Sequence, residues 1–204
     1  DTVYGVLTGT ASTTTLEAFD SIDGGAGTDI VDMALSGADY DGDTEISNVE
    51  TIKVKATGAG RSFDADGITG LTLLQSKQSS QNLTVTNLES LSTELGLFKD
   101  STANTTSVTY KNAVLAGTAD NVTLNMERVT AAENVTLLSS GTNDIETVTI
   151  NSTGTVVNNI GTLIVDDSGA ANSMTKLVIT GEAGLSITAA LQVAAASTPT
   201  IDAS

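Results

Sequence analysis

The stretch Asn121–Val129 reads NVTLNMERV, and its partners Asn82–Leu88 (NLTVTNL) and Asn134–Ser140 (NVTLLSS) repeat the same opening: an Asn, then apolar and Thr residues in alternation. A period of two puts alternate side chains on opposite faces of an extended chain, so each word reads as a β-strand with one face buried. Working outward, similar runs occur at Val49 (VETIKVKA), Leu71 (LTLLQSK), Ser107 (SVTYKNAV), Ile145 (IETVTINS), Thr162 (TLIVDDS), Lys176 (KLVITG) and Leu185 (LSITAAL). Turn residues separate them at uneven intervals. Repetition of one short strand word, with Asn at its start, suits a parallel β-helix or β-solenoid, where small and aliphatic side chains stack inside and Asn or Thr ladders form at the corners.

Composition agrees with an all-β chain. Thr supplies about one residue in six, Gly numbers 19 and Pro 1. Only 3 Phe, 3 Tyr and no Trp are present, so the core has to be aliphatic. The alternative all-β architecture is a β-sandwich, which favours bulky aromatic core residues and Asn-Gly or Asp-Gly hairpins between neighbouring strands. Asn-Gly is absent, and the Asp-Gly pairs at Asp23, Asp41 and Asp66 all fall in the first third of the chain. The predicted organisation is a glycine- and aspartate-rich segment over 1–48, solenoid rungs of irregular length over 49–190, and an irregular Ala- and Ser-rich tail over 191–204. Short helices are expected only near Thr14 to Phe19 and Ala189 to Ala196. The N-x-Ser/Thr triplets at Asn82, Asn104, Asn121, Asn134 and Asn151 are read mainly as Asn turns entering Thr-rich strands, with glycan attachment as the other reading.

Charge narrows the chemistry. Asp+Glu number 25 against 8 Lys+Arg, a formal net charge of -17, with no His and no Cys. A Ser-His-Asp triad, a thiol nucleophile, a disulfide framework and the usual zinc or haem sites are thereby excluded. Phosphate backbones and anionic lipid surfaces are repelled, so neither nucleic acid binding nor membrane insertion is expected. Carboxylates, amide oxygens and backbone carbonyls remain as ligands, and these hard donors suit calcium. Asp1 to Thr15 lacks the basic residues and the apolar run of a secretion signal.

The most specific word is Gly24–Asp32, GGAGTDIVD, which matches the calcium-binding nonapeptide G-G-x-G-x-D-x-U-x with Gly24, Gly25, Gly27, Asp29 and Val31 in the defining places. Glycines let the backbone turn tightly and direct carbonyl oxygens inward, and the Asp29 carboxylate joins an ion shared with a stacked neighbour. Asp23 and Asp32 flank the word and complete its candidate ligand set. One copy alone supplies half of a shared site, so a second set of ligands has to come from elsewhere in the chain. A second acidic segment, ADYDGDTEISNVE, carries Asp39, Asp41, Asp43, Glu45 and Glu50. Counted as an EF-hand from Asp39 it has Thr44 where the required Gly belongs, so an irregular calcium loop or a solvated acidic turn fits better. Asp64 with Asp66, and Asp166 with Asp167, are weaker candidates. Asp144 reads as an isolated surface acid.

The words TTTLEAFDSIDGGAGTDIVDM and EISNVETIKVKA resemble bacterial surface-layer (S-layer) proteins and related RTX-type secreted proteins over about Thr13 to Ala56; beyond that only composition and strand rhythm are shared. That resemblance implies a cell-surface structural protein, exported by a type I system without a cleaved signal, that needs calcium to fold and assembles with copies of itself into a lattice or filament. Contact with cell-surface polysaccharide is a further possibility it raises. A secreted adhesin or biofilm-matrix stalk has the same composition and stands as the alternative. An ice-binding face would need evenly spaced Thr rows, which the unequal spacing does not supply. A polysaccharide-active β-helix enzyme is the remote alternative: Arg61 and Arg128 are the only arginines, and no carboxylate pair is predicted in matching rungs outside the N-terminal cluster. The chain is therefore expected to be a non-enzyme.

Overall fold

The computed structural model describes residues 1–10, 13–17, 19–165, 174–193 and 198–203. Its strands are β1 (Thr2–Leu7), β2 (Ser21–Asp23), β3 (Ile30–Leu35), β4 (Glu45–Ser47), β5 (Thr51–Ala56), β6 (Arg61–Asp64), β7 (Leu73–Lys77), β8 (Leu83–Leu88) and β9 (Glu94–Phe98). There follow β10 (Thr105–Tyr110), β11 (Asn121–Glu127), β12 (Glu133–Ser139), β13 (Thr147–Thr153), β14 (Asn158–Val165), β15 (Lys176–Thr180), β16 (Leu185–Gln192) and β17 (Thr200–Ala203). Odd-numbered strands from β1 to β17 line up in sequence order as one nine-stranded sheet, and even-numbered strands from β6 to β16 form a six-stranded sheet facing it. Strands β2 and β4 make a small third wall, and a single bridge from Tyr40 to Phe63 extends the second sheet by one rung. Every pairing is parallel, so the chain winds as a β-solenoid, and the sandwich alternative is set aside.

Register explains why the interior is aliphatic. Val31, Ile52, Leu74, Leu95, Leu124, Ile150 and Ile179 pair successively across the first sheet. Phe63, Val85, Val108, Leu137 and Val165 do so across the second. Both rows point inward, and all their members except the half-buried Ile179 are buried. Full burial of each such side chain contributes about 1.5–3 kcal/mol. The row on the second sheet is closed by Tyr40, whose ring stacks on Phe63 at 4.8 Å and 19°. The rungs are irregular in length: the chain advances 21 residues from Ile30 to Thr51 but 29 from Thr147 to Lys176. Register shifts in β10, β12 and β14 absorb part of the difference.

Corners are held by side chains that satisfy the next rung's backbone. Asn82 Oδ1 accepts the Thr105 N–H and Asn134 Oδ1 the Thr162 N–H, each at 2.9 Å, and Asp39 Oδ1 accepts the Ser62 N–H at 2.9 Å. Asn104 is buried and donates to the Ser79 carbonyl at 3.1 Å. Asn121 accepts the Thr149 hydroxyl, and Asn151 donates to Asn125. All five sequon asparagines thus make inter-rung bonds; for Asn82, Asn121 and Asn134 this is the ladder role their recurrence suggested, while Asn151 lies inside β13.

Two local expectations are corrected. Residues 189–192, read as the start of a short helix, lie in β16, because pairing with β14 overrides the helix propensity of Ala. The described part of 14–19 is turn, with Thr13 and Thr14 N–H groups on the Thr10 carbonyl. Within the stretch read as an irregular tail, Thr200–Ala203 forms β17 and pairs with β15; within the segment read as glycine- and aspartate-rich, β1 and β3 already belong to the large sheet. Leu124→Ala is expected to destabilise the chain by about 2–5 kcal/mol, against within about 0.5 kcal/mol for the outward Thr123→Ala. Denaturant unfolding of both variants checks this assignment of faces; equal losses would contradict it.

Candidate metal centre

The nonapeptide forms the turn between β2 and β3. Gly25 and Gly27 have φ of 75° and 131°, a left-handed region that favours glycine. Gly24 packs against the next rung so closely that a Cβ there would lie 2.0 Å from the Asn48 carbonyl oxygen. This tight turn drives the Asp29 carboxylate inward, leaving it 4% exposed. Its Oδ1 accepts the Asp1 ammonium at 2.6 Å, whereas its Oδ2 is buried with no hydrogen-bond partner. A cavity of about 130 Å³ opens beside it, lined by Asp23, Gly24 and Asp29 together with apolar side chains such as Ile22, Val31 and Val49.

Residues of the following rung bond to the nonapeptide turn. Glu50 Oε2 accepts the Asp29 N–H at 2.7 Å, and Asn48 Nδ2 donates to Asp23 Oδ1 at 2.8 Å; that same Asp23 oxygen accepts the Gly25 N–H at 3.0 Å. Sequence reading placed Glu50 only in an EF-hand frame. Its partnership with Asp29 follows from a rung of 21 residues, a period visible in the sequence only once the register is known. Asp32 is drawn elsewhere: strand alternation puts it on the outer face of β3, where Lys77 Nζ contacts it at 2.5 Å.

The second acidic segment lies at the corner around Tyr40. Asp41, Asp43 and Glu45 are exposed, and Asp39 is committed to the Ser62 N–H. Tyr40 donates its hydroxyl to the Thr44 carbonyl at 2.7 Å; burial, followed by the charges of Asp41, Asp64 and Asp43, pushes it up to about 12. Asp64, one rung on, lies beside the Asp41 to Asp43 turn, where a Cβ on Gly42 would be 3.9 Å from it, and its Oδ1 is held by Asn87 Nδ2 at 2.9 Å. One step further, the Lys111 ammonium lies 2.5 Å from both Asp66 and Glu89, lowering the Asp66 carboxyl and raising the lysine. A stacked column of acidic turns therefore has an internal cation at one end, while Asp41, Asp43 and Glu45 have no ion pair among the described residues. The Asp166 and Asp167 candidates lie outside the described residues. Asp144 is buried, 8% exposed, because the turn before β13 folds it inward, so it is no surface acid. Among the described residues no three acidic side chains converge into a ready-made cage.

One pair of acids escaped the sequence reading altogether. Asp100 and Glu133, from adjacent rungs, are both 0% exposed inside the solenoid, where no Lys or Arg is buried among the described residues. Asp100 accepts the Ser79 N–H at 2.8 Å and the Ser76 hydroxyl at 3.1 Å. Glu133 accepts the Thr106 hydroxyl at 2.6 Å through Oε1, and its Oε2 has no partner. Burial pushes Asp100 up to about 6; burial and then the Asp100 charge push Glu133 up to about 7. Glu133 feels the Asp100 charge although the register sets Asn104, not Asp100, opposite it. Local spacing hides them, since no other acid lies within five residues of either. Their enclosure gives a substrate no route to them, and a surface groove of about 290 Å³ near Leu71 and Ser92 contains Glu89 as its sole acid, already bonded to Lys111.

Comparison of the chain with known protein families, with characterised proteins and with solved structures gives no match.

The interior acids set a pH dependence whose sign is fixed. Both carboxyls are raised on folding, so their favourable contribution is complete below about pH 4, and it is lost as pH rises through about 6 to 7. Glu133→Gln is expected to match the parent near pH 4 and to exceed it at pH 8 by on the order of 1–3 kcal/mol. Denaturant unfolding across that range measures the difference, and a parallel pH profile for variant and parent would contradict the assignment.

Proposed function

We propose that this chain is a calcium-dependent structural module of a bacterial cell surface, secreted and assembling with copies of itself in a surface layer. The observation that carries the reading is the Asp29 carboxylate: it has a buried oxygen without a partner, and its residue lines a cavity together with Asp23, in a turn built on left-handed glycines. An unsatisfied buried carboxylate oxygen is costly, and a hard cation is the partner that also offsets its charge. Asp23, Asp29 and Glu50 would supply carboxylates there, with carbonyls of the Gly24 to Gly27 turn. Asp41 and Asp43 stacked near Asp64 form a second, more open place for an ion. The solenoid fold and the resemblance of Thr13 to Ala56 to surface-layer and RTX-type proteins support the same reading.

The mechanism is linkage. With little calcium, as inside a cell, acids stacked rung on rung repel one another and favour the unfolded chain. Outside, an ion that binds only the folded form adds about 2.7 kcal/mol per site when free calcium is a hundred times its dissociation constant.

Chelation is expected to lower hydrogen-exchange protection over residues 20–50 more than in the strands after Asn121; uniform protection with and without chelator would contradict this. Asp29→Ala is expected to weaken or remove one calcium site in titration calorimetry, whereas Glu182→Ala, an exposed control, leaves the isotherm unchanged. If Asp29→Ala kept the parent's calcium affinity and stoichiometry, the nonapeptide would be only a glycine turn. Light scattering with added calcium separates a self-assembling protein, which grows, from an adhesin, which stays monomeric while binding a foreign ligand.

A further inference from the structure

The chain has 8 basic residues, and four of them are held by ion pairs or hydrogen bonds. Lys77, Lys111 and Lys176 are ion-paired with Asp32, with Asp66 and Glu89, and with Asp202, and Arg61 is bonded to the Ser36 and Thr57 carbonyls. Lys53, Lys55, Lys99 and Arg128 have no ion pair among the described residues; Lys53 and Lys55 lie along β5, whereas Lys99 and Arg128 stand one above the other at a single corner.

Their placement follows from register. Lys77, Phe98, Glu127 and Thr153 pair in succession across β7, β9, β11 and β13. The residue after each turns left-handed: Gln78 at φ 55°, Lys99 at 57°, Arg128 at 59° and Gly154 at 94°. Glycine suits that conformation best, and position 154 has it. Two consecutive rungs nevertheless place long cationic side chains there. The Lys99 ammonium is held 4.5 Å above the Phe98 ring. A cleft of about 270 Å³ follows the corner, lined by Gln78, Lys99, Ser101, Arg128, Thr130 and Val156. Cations, hydroxyls and a side-chain amide offer donors that suit carboxylates.

The matching acids are on the same molecule, several rungs away. Asp41, Asp43 and Glu45 are exposed at alternate positions. Adjacent rungs are about 4.8 Å apart, so Lys99 and Arg128 present a close pair of charges on long stems. Asp39, Asp41, Asp43 and Glu45 together carry four negative charges, so one bound calcium would leave that edge with two, equal to the charge of Lys99 and Arg128.

We propose that the Lys99–Arg128 cleft is the docking surface for the Asp41 to Glu45 acidic edge of a second copy of this chain. Complementary charge favours this occupant: on a chain of net charge -17, the cleft is an exposed place where a copy's carboxylates meet unpaired cations. The two surfaces differ, so the contact is heterologous, and repeated copies propagate into a filament or sheet instead of closing as a dimer. This inference rests on the self-assembly reading and adds the contact through which growth occurs.

Analytical ultracentrifugation of the whole chain with saturating calcium, at low and high salt, tests both. Lys99→Glu combined with Arg128→Glu is expected to raise the concentration needed for assembly by at least about tenfold, with calcium affinity unchanged. High salt is expected to reproduce that shift in the parent. Lys99→Gln with Arg128→Gln gives a milder version if charge reversal impairs folding. If the parent assembles and the variants assemble equally well, the cleft is not the contact, while the self-assembly reading stands. If the parent stays monomeric at every calcium concentration, that reading fails and takes this inference with it. Binding of soluble polygalacturonate that is lost in the variants, with assembly unaltered, would overturn the proposal by assigning the cleft to an acidic polysaccharide.

Discussion

In-register parallel pairing of successive rungs is the constraint on which the rest of the molecule depends. Each backbone pairing sets a residue directly above its counterpart, so like side chains stack on like. For Val31, Ile52, Leu74, Leu95 and Leu124 this is wholly favourable, since every step buries apolar surface on both sides. For carboxylates it is unfavourable, because each added rung brings another negative charge close to the last. The chain meets that conflict differently at each place: with the Lys111 ammonium between Asp66 and Glu89, and with the carboxyls of Asp100 and Glu133 raised toward neutral pH by burial. The Asp41 to Glu45 edge and Asp29 Oδ2 are left without such a partner, and calcium is the ion proposed for them.

Much of the architecture was legible in the sequence because the solenoid repeats its own local rule. NVTLNMERV at Asn121 and NVTLLSS at Asn134 form β11 and β12, and the Asn residues that open them bond to the next rung as their recurrence suggested. What remained hidden depends on register. Glu50 meets Asp29, and Glu133 comes within electrostatic reach of Asp100, only when rung length is known, and rungs of 21 to 29 residues give no constant period to count by. Asp32 illustrates the converse: it follows the glycine word closely in sequence, but alternation turns it to the opposite face from Asp29. The strand at Ala189 was hidden for a different reason, since Ala favours helix locally and only pairing with β14 reverses that preference.

These solutions differ in what switches them. Ion pairs at Lys111 respond to salt, the interior acids respond to pH, and the proposed calcium places respond to the ion concentration that separates the inside of a cell from its surroundings. A module of this kind would gain rigidity on export, and copies would then meet through unlike surfaces, the acidic edge of one and the Lys99–Arg128 corner of another.

The central claim is that Asp29 ligates calcium, and a crystal structure of the calcium-soaked chain tests it most directly. The account predicts a cation about 2.3–2.6 Å from Asp29 Oδ2, with Asp23 or Glu50 and turn carbonyls completing its shell. Asp29 Oδ2 bonded only to water or to a protein donor, at saturating calcium and with no ion in the cavity, would contradict it.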